Sequence, residues 1–243
     1  MNDETSRRRS RPVTKKSKIK KIKRNKPAMA LAIIIVLMLI FSGVYVIFSA
    51  MAPAKKYDTE YPVAEISTSM GLIAVELYDD KAPNTCENFI NLANDAFYDG
   101  LVFHRVANLD NGETDTRVIQ GGGFDPDLNQ KTSPYGSIDL EINDDLTHID
   151  GAIAMARTSD PNSATSQFYI CDGAQHFLDD SYRQTTYGDR GYAVFGKVIS
   201  GIDVVREISE VDTTTKTLPA TGQSMSNWPV DDVLINSITI VND

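Results

Sequence analysis

Apolar and polar residues alternate with a period of two along most of the chain, which is the pattern of half-buried β-strands. The first two such segments are residues 63–68 and 72–78, and the sequence Ser69-Met70-Gly71 between them predicts a hairpin turn. Further strands are predicted at residues 101–106, 117–120, 152–156, 167–171, 193–198 and 233–241. This succession of short strands predicts a mainly β domain, a closed antiparallel β-barrel.

Two segments show helical periodicity instead. Pro83 suits the first turn of a helix because its missing N–H has no partner there in any case. Apolar residues then recur at i, i+3, i+4 and i+7, namely Cys86, Phe89, Ile90 and Ala93. A second helix is predicted at residues 202–208, so two α-helices would cap the barrel.

Residues 28–48 contain no charged side chain and are mostly apolar. As a helix these 21 residues would span about 31 Å, close to the hydrocarbon core of about 30 Å. The run has no polar face, so it predicts a transmembrane helix rather than a core helix. The predicted organisation is a tail at 1–27, the transmembrane helix, a linker at 49–62 and one domain at 63–243.

Charge divides sharply at the transmembrane segment. Residues 1–27 hold 12 Lys and Arg against two acids, a balance of +10, and the remainder carries 12 basic and 31 acidic residues, a balance of −19. Lys and Arg flanking a membrane helix favour the cytoplasmic side. We therefore expect a single-pass membrane protein with a cytoplasmic N-terminus and an extracytoplasmic domain.

Cleavage of the anchor is the alternative. The sequences Ala50-Met51-Ala52 and Ala52-Pro53-Ala54 have the small-residue spacing of a signal-peptidase site. Pro53 fits poorly after the first site, and the apolar run is longer than the roughly 7–15 residues of a signal peptide. Retention of the anchor is the preferred interpretation.

The two cysteines, Cys86 and Cys171, lie in apolar periodic segments. An oxidising compartment permits a disulfide between them. Their surroundings favour two buried free thiols, because cysteine in such a position behaves as a small apolar residue.

Six segments in order resemble the motifs of the cyclophilin family. They are residues 98–106 (YDGLVFHRV), 118–122 (VIQGG), 151–156 (GAIAMA), 166–170 (SQFYI), 177–179 (FLD) and 194–198 (VFGKV). The resemblance covers about residues 63–241. It implies an eight-stranded antiparallel barrel with two helices and peptidyl-prolyl cis-trans isomerase activity, with no metal and no cofactor.

The resemblance also implies roles for single residues. Arg105 matches the catalytic arginine, and Gln120 matches the glutamine that orients it. The matches to the substrate-binding residues are Val118, Met155, Ala156, Arg157, Gln167, Tyr169, Phe177, Leu178 and Tyr192. His104 is expected to be a packed, hydrogen-bonded structural residue, because the reaction transfers no proton.

Departures from the family pattern weaken the assignment of activity. An insertion at 107–116 brings Arg117 to the place of a pocket-floor Phe, and a polar loop is added at 180–191. Because an unpaired charge is costly in an apolar pocket, we expect Arg117 to turn away, pairing with acids of the insertion, while Leu109 or Val118 replaces the Phe. The alternative is a weak or inactive peptide-binding module on the same fold.

The sequence Leu218-Pro219-Ala220-Thr221-Gly222 matches the sortase pentapeptide of cell-wall proteins. A sorting signal continues into an apolar stretch and a basic tail, whereas this chain continues into polar residues and the last strand, so wall anchoring is rejected. The expected function is isomerisation of X-Pro bonds in exported proteins. The expected partners are proline-containing peptide segments and, through residues 28–48, the lipid bilayer, but not nucleic acid.

Overall fold

A computed structural model of the chain describes residues 56–109 and 116–241. The predicted transmembrane segment at 28–48 lies outside these residues. Within the described ranges, no helix has the length and apolar character needed to cross a membrane.

An eight-stranded antiparallel sheet forms the domain, in the order β10-β1-β2-β7-β5-β6-β4-β3. Its strands are β1 Val63–Thr68, β2 Gly71–Leu77, β3 Phe103–Ala107, β4 Arg117–Gly121, β5 Ala152–Met155, β6 Phe168–Asp172, β7 Val194–Ser200 and β10 Ile235–Val241. All eight strands lie at or within a few residues of the segments predicted from the period-two pattern.

The expected closed barrel is wrong, because the sheet is curled but keeps two edges, β10 and β3. The edges meet through one isolated bridge, Val102 with Leu234. A few backbone hydrogen bonds add to it, such as the one from Gly100 N–H to the Ile235 carbonyl at 2.9 Å. A closed barrel needs a continuous ladder between its first and last strands. Here pairing lasts only a few residues, since the N–H of Val102 donates to Phe124 instead.

Three α-helices accompany the sheet: α1 Pro83–Asn94, α2 Asp180–Tyr187 and α3 Ile202–Ser209. The first and third confirm the two predicted helices. Helix α2 was expected to be a polar loop, because it buries no residue and so has no apolar stripe to detect. A short 3-10 helix, His176–Leu178, precedes it.

The main core lies between α1 and the concave side of the sheet. Phe89 on α1 packs its ring 5.4 Å from that of Phe168 and 5.3 Å from that of Phe195. Cys86 lies in this core and Cys171 in a second apolar cluster, and both are buried free thiols, as predicted. Burial raises the pKa of both thiols, so they stay protonated and unreactive.

A two-stranded ribbon, β8 Thr213–Thr217 and β9 Ser224–Pro229, packs beside β3 and was not predicted. Trp228 is fully buried beneath it, in a third apolar cluster with Val102, Phe124 and Leu218. The pentapeptide at 218–222 forms the tip of the ribbon. Leu218 is 5% exposed, and its N–H donates to the Gln223 carbonyl at 2.9 Å, so this segment is part of the folded domain.

Candidate active site

A cavity of about 390 Å³ opens where β3, β4, β6, the 3-10 helix and the ribbon converge. It is lined by nine of the predicted site residues: Arg105, Val118, Gln120, Ala156, Arg157, Gln167, Tyr169, Leu178 and Tyr192. A roomier cleft of about 620 Å³ lies beside α3, but acids line it and none of the predicted residues does. The chemistry implied by the resemblance therefore belongs to the first cavity.

The polar centre of the cavity is a chain of three side chains, of which two lie on β3 and β4 and the third, Gln167, directly precedes β6. Arg105 on β3 is in register with Gln120 on β4, so both side chains project from the same face of the sheet. Arg105 Nη1 donates to Gln120 Oε1 at 3.2 Å, and Gln120 Nε2 donates to Gln167 Oε1 at 3.0 Å. Half-burial lowers the pKa of the Arg105 guanidinium from its ordinary value, but an arginine remains charged.

Apolar side chains form a pocket next to this polar chain. Val118, Tyr169 and Leu178 are each at most 5% exposed and share one apolar cluster, against which Leu109 packs. Leu109, which belongs to the insertion, also lines the cavity, whereas residues 110–115 of the insertion lie outside the described residues. Leu109 and Val118, the two residues expected to replace the Phe, thus both line the cavity.

Arg117 turns away from the cavity, as the cost of burying its charge requires. Its Nη1 donates to the Ser209 carbonyl at 2.6 Å and lies 3.3 Å from a carboxylate oxygen of Glu210, both at the end of α3. Arg117 and Val118 are neighbours on β4, so their side chains point to opposite faces of the sheet. The acids of the insertion that were expected to pair with Arg117 lie outside the described residues.

Arg157 lines the cavity, but its guanidinium hydrogen-bonds mainly to the polar loop that contains α2. It donates from Nε to the Gly191 carbonyl at 3.1 Å, from Nη2 to the Arg190 carbonyl and from Nη1 to the Thr158 carbonyl at 2.8 Å. Its side chain is only 2% exposed. The guanidinium carbon also lies 4.5 Å from the centre of the Tyr192 ring, so Arg157 holds Tyr192 at the rim by a cation–π contact.

A buried hydrogen-bond chain behind the pocket was missed by sequence reasoning. The Tyr169 hydroxyl lies 2.8 Å from His148 Nε2, and His148 Nδ1 lies 2.7 Å from Asp179 Oδ1. Burial raises the pKa of Tyr169 and lowers that of His148 in spite of the opposing effect of Asp179. The hydroxyl of Tyr169 therefore donates to a neutral His148, whose Nδ1–H donates to Asp179.

The same chain ties the 3-10 helix to β6. Burial alone would raise the pKa of Asp179, but hydrogen bonds from His148 and His176 lower it overall, so the carboxylate is ionised. Asp179 directly follows Leu178, and its Oδ1 accepts a hydrogen bond from the backbone N–H of His148 at 2.8 Å. The chain thus sets the separation of Leu178 and Tyr169, which form two walls of the pocket.

Two predicted substrate-binding residues do not line the cavity. Met155 is 1% exposed and lies in the main core. Phe177 packs against the second apolar cluster behind the pocket. Their neighbours Ala156 and Leu178 do line it, since adjacent residues of an extended or 3-10 segment point in different directions.

His104 also lines the cavity, as a buried residue at 1% exposure. Its ring packs 4.8 Å from the Phe124 ring and 5.8 Å from the Trp228 ring. Burial lowers the pKa of His104 to about 4, so it is neutral near pH 7. The expected packing is found, and the Val102 backbone and the Gln167 side chain act as hydrogen-bond partners of the ring. Nδ1 itself has no partner among the described residues.

Other lining residues were missed because they come from segments distant in sequence: Phe124, Gln130, Leu218, Thr221, Gln223 and Met225. The last four belong to the ribbon, and no motif signals them. Within the described part of the chain, no group of three or more His, Cys, Asp or Glu side chains is arranged to hold a metal ion.

Comparison with known proteins identifies the architecture. The family model described as cyclophilin type peptidyl-prolyl cis-trans isomerase/CLD matches residues 63–240. Peptidyl-prolyl cis-trans isomerase B of Escherichia coli is 38% identical over 175 residues, covering 71% of this chain and 96% of that protein. The isomerase cyp18 of Streptomyces antibioticus is 40% identical over 177 residues, covering 73% of this chain and 97% of the relative.

Solved structures agree. A cyclophilin-type peptidyl-prolyl cis-trans isomerase of Cryptosporidium parvum superposes with a TM-score of 0.58 at 26% identity, over 74% of this chain and 97% of that one. A second structure of that protein, determined in the presence of the dipeptide Ala-Pro, superposes with a TM-score of 0.57 at 27% identity, over 73% and 98% of the two chains.

Proposed function

The chain belongs to the family of cyclophilin-type peptidyl-prolyl cis-trans isomerases, and from this premise we propose that it isomerises X-Pro bonds of exported proteins, with Arg105 as its catalytic residue. The observation that carries the assignment of Arg105 is its position. A half-buried guanidinium, hydrogen-bonded to Gln120, lines the same cavity as the apolar side chains of Val118, Tyr169 and Leu178.

The barrier of the reaction explains why this arrangement suffices. Rotation about a peptide bond faces about 18–20 kcal/mol, because the nitrogen lone pair is delocalised into the carbonyl. In the twisted state that delocalisation is lost, and the proline nitrogen becomes pyramidal and basic. A fixed N–H donor of Arg105 stabilises that nitrogen more than it stabilises the planar amide, which lowers the barrier.

The surroundings of Arg105 make this stabilisation effective. Val118, Tyr169 and Leu178, with Leu109, offer the proline ring an apolar pocket that excludes water and so strengthens the interaction with the charge. Gln120 fixes the guanidinium, and Gln167 fixes Gln120 in turn. The substrates are proline-containing peptide segments, in keeping with the presence of Ala-Pro in the related Cryptosporidium parvum structure.

Action on exported proteins rests on the sequence of the N-terminal part. The balance of +10 at 1–27 next to the uncharged run at 28–48 supports a single-pass anchor, with the isomerase domain on the extracytoplasmic side. Uncatalysed X-Pro isomerisation takes tens to hundreds of seconds, slow enough to limit the folding of proteins that have just crossed a membrane.

The test of the catalytic assignment is a comparison of arginine variants of the full-length chain. We expect Arg105→Ala to lower kcat/KM about 100- to 1000-fold, and Arg105→Lys to restore little, because an ammonium lacks the planar, fixed donors of a guanidinium. The measurement is the rate of catalysed cis/trans exchange of an X-Pro peptide by NMR.

Arg206→Ala is the matched control, because this arginine pairs with Asp150 and Asp172 far from the cavity lining. It should retain the wild-type rate. Wild-type activity in Arg105→Ala would refute the proposed mechanism.

A further inference from the structure

The cavity is lined by two separate apolar clusters, and isomerisation of a proline needs only one of them. Leu109, Val118, Tyr169 and Leu178 belong to the cluster that surrounds the proposed proline pocket. Phe124, Leu218 and Met225 belong to another cluster, which is built around Trp228. The second cluster therefore forms a wall of the cavity that is not required for rotation about the X-Pro bond.

The ribbon that carries this wall is firmly held. Trp228 is fully buried, and its Nε1–H donates to Asp232 at 2.9 Å. Lys216 on β8 donates to the same carboxylate at 2.8 Å and lies 5.3 Å from the centre of the indole ring. Pairing of β8 with β9 and the burial of Leu218 complete the support. A wall that is already formed loses little conformational entropy when a ligand binds.

The chemistry of the wall indicates what it accepts. Leu218 and Met225 supply apolar surface, and Thr221 and Gln223 supply uncharged hydrogen-bonding groups suited to a peptide backbone. None of the described residues that line the cavity is acidic, and its full charges are those of two arginines. A cationic ligand side chain would therefore meet repulsion without compensation, whereas an apolar one would be desolvated favourably.

We propose that the tip of the β8–β9 ribbon forms a second subsite, which binds the apolar side chain of a substrate residue adjacent to the X-Pro pair. The inference rests on the isomerase function and adds selection among proline-containing segments. Leu218, Thr221, Gln223 and Met225 are its specificity-determining residues, and the occupant is a residue such as Leu or Met.

The experiment introduces a negative charge at the subsite and measures the change in substrate preference. Two peptide series carry Leu or Lys, either immediately before or immediately after the X-Pro pair. The proteins are full-length wild type, Met225→Glu, Thr221→Glu and the matched control Ser226→Glu. Ser226 is exposed, follows Met225 on β9 and does not line the cavity. Thr221 is exposed as well, so its replacement does not threaten folding.

In one of the two series, wild type should prefer Leu over Lys about tenfold in kcat/KM. Met225→Glu and Thr221→Glu should remove or invert that preference, and Ser226→Glu should keep it. Equal rates for Leu and Lys in both series, or an equal change in Ser226→Glu, would overturn the subsite. Dissociation constants from NMR titrations report the same preference without turnover. An inactive wild type would therefore refute the proposed function, while the binding measurements would still test the subsite.

Discussion

The direction of single side chains on β4 determines whether the pocket stays apolar. Arg117 and Val118 are adjacent, and the alternation of a strand sends Val118 into the cavity and Arg117 to the end of α3. Leu109 adds apolar surface to the cluster around Val118. The residue that cast doubt on activity at the sequence level is therefore not in the cavity at all.

This arrangement predicts that one alanine variant lowers kcat/KM and that another leaves it nearly unchanged. Leu109→Ala removes apolar wall from the proline pocket and should lower kcat/KM about tenfold, the equivalent of roughly 1.4 kcal/mol of lost contact. Arg117→Ala breaks a half-exposed interaction with α3 and should change kcat/KM less than about twofold. NMR exchange rates on one X-Pro peptide measure both. Comparable losses in the two variants would show that Arg117 also touches substrate.

A buried neutral histidine makes the domain sensitive to acid. Burial lowers the pKa of His104 to about 4 in the folded state, whereas a histidine in an unfolded chain titrates near 6.5. The unfolded state thus binds a proton first as pH falls, so the contribution of His104 is complete above about pH 6.5 and is lost as pH falls to about 4. That contribution is about 3 kcal/mol.

Urea unfolding at pH 7.5 and pH 4.5 measures this term when wild type is compared with His104→Asn. Carboxylates also destabilise the fold in acid, but they do so equally in both proteins. We expect the loss of unfolding free energy between the two pH values to be about 2–3 kcal/mol smaller in His104→Asn. An unchanged loss in His104→Asn would mean that His104 does not titrate in this range.

At the scale of elements, the polar loop that contains α2 supports the cavity rim without contributing to the core. Helix α2 buries none of its residues. It is held by polar contacts, including Arg190 to Asp180 at 2.8 Å and Arg183 to Asp189 at 2.5 Å. The guanidinium carbon of Arg183 also lies 5.4 Å from the centre of the Tyr192 ring, which Arg157 contacts as well. Two cations thus hold one rim tyrosine.

The coupling of this loop to the cavity is testable at Arg157. Replacing it with Ala removes hydrogen bonds from a charged donor that is almost fully buried, so the Gly191 carbonyl loses its partner, whereas the Arg190 carbonyl keeps only its bond from Arg183 Nε. We expect about 2–3 kcal/mol lower stability. Faster amide hydrogen exchange is expected across 180–191, with a severalfold lower kcat/KM as Tyr192 shifts.

The control is Arg206→Ala, because Arg206 is an exposed arginine whose ion pairs lie away from the cavity. It should leave both exchange at 180–191 and turnover unchanged. Fast exchange in that segment already in wild type would contradict the role assigned to Arg157.

For the whole molecule, the curled sheet and the ribbon have different roles in the domain. The sheet places Arg105 on β3, Gln120 on β4 and Gln167 directly before β6, and α1 covers its core face. The ribbon lies beside the edge strand β3, which it shields from pairing with other chains. The cavity thus lies between the sheet and the ribbon to which we assign substrate selection.

The proposed topology of the full chain is tested in intact cells. If 1–27 is cytoplasmic and 28–48 spans the membrane, externally added protease should digest or release the domain while a cytoplasmic marker protein stays intact. Immunoblotting against the domain reads the outcome. Digestion only after the membrane is disrupted would place the domain on the cytoplasmic side.

The sequence by itself determined the strands, two of the three helices, the buried thiols and most of the cavity residues. It could do so because period-two and period-3.6 patterns, together with contiguous family motifs, are local properties of the chain. Met155 and Phe177 show the limit of motif matching. Each is adjacent to a lining residue, and only the backbone geometry decides which of two neighbours faces the cavity.

Only the tertiary structure decided what depends on contacts between distant segments. The sheet stays open at β3 and β10 because pairing between residues 100–103 and 233–235 ends after a few bonds, which no local pattern records. The bonds from Tyr169 to His148 and from His148 to Asp179 join residues 21 and 31 positions apart. The ribbon reaches the cavity through residues more than 90 positions after Arg105. Such contacts follow from how packed elements meet in space, so they appear only once the chain is folded.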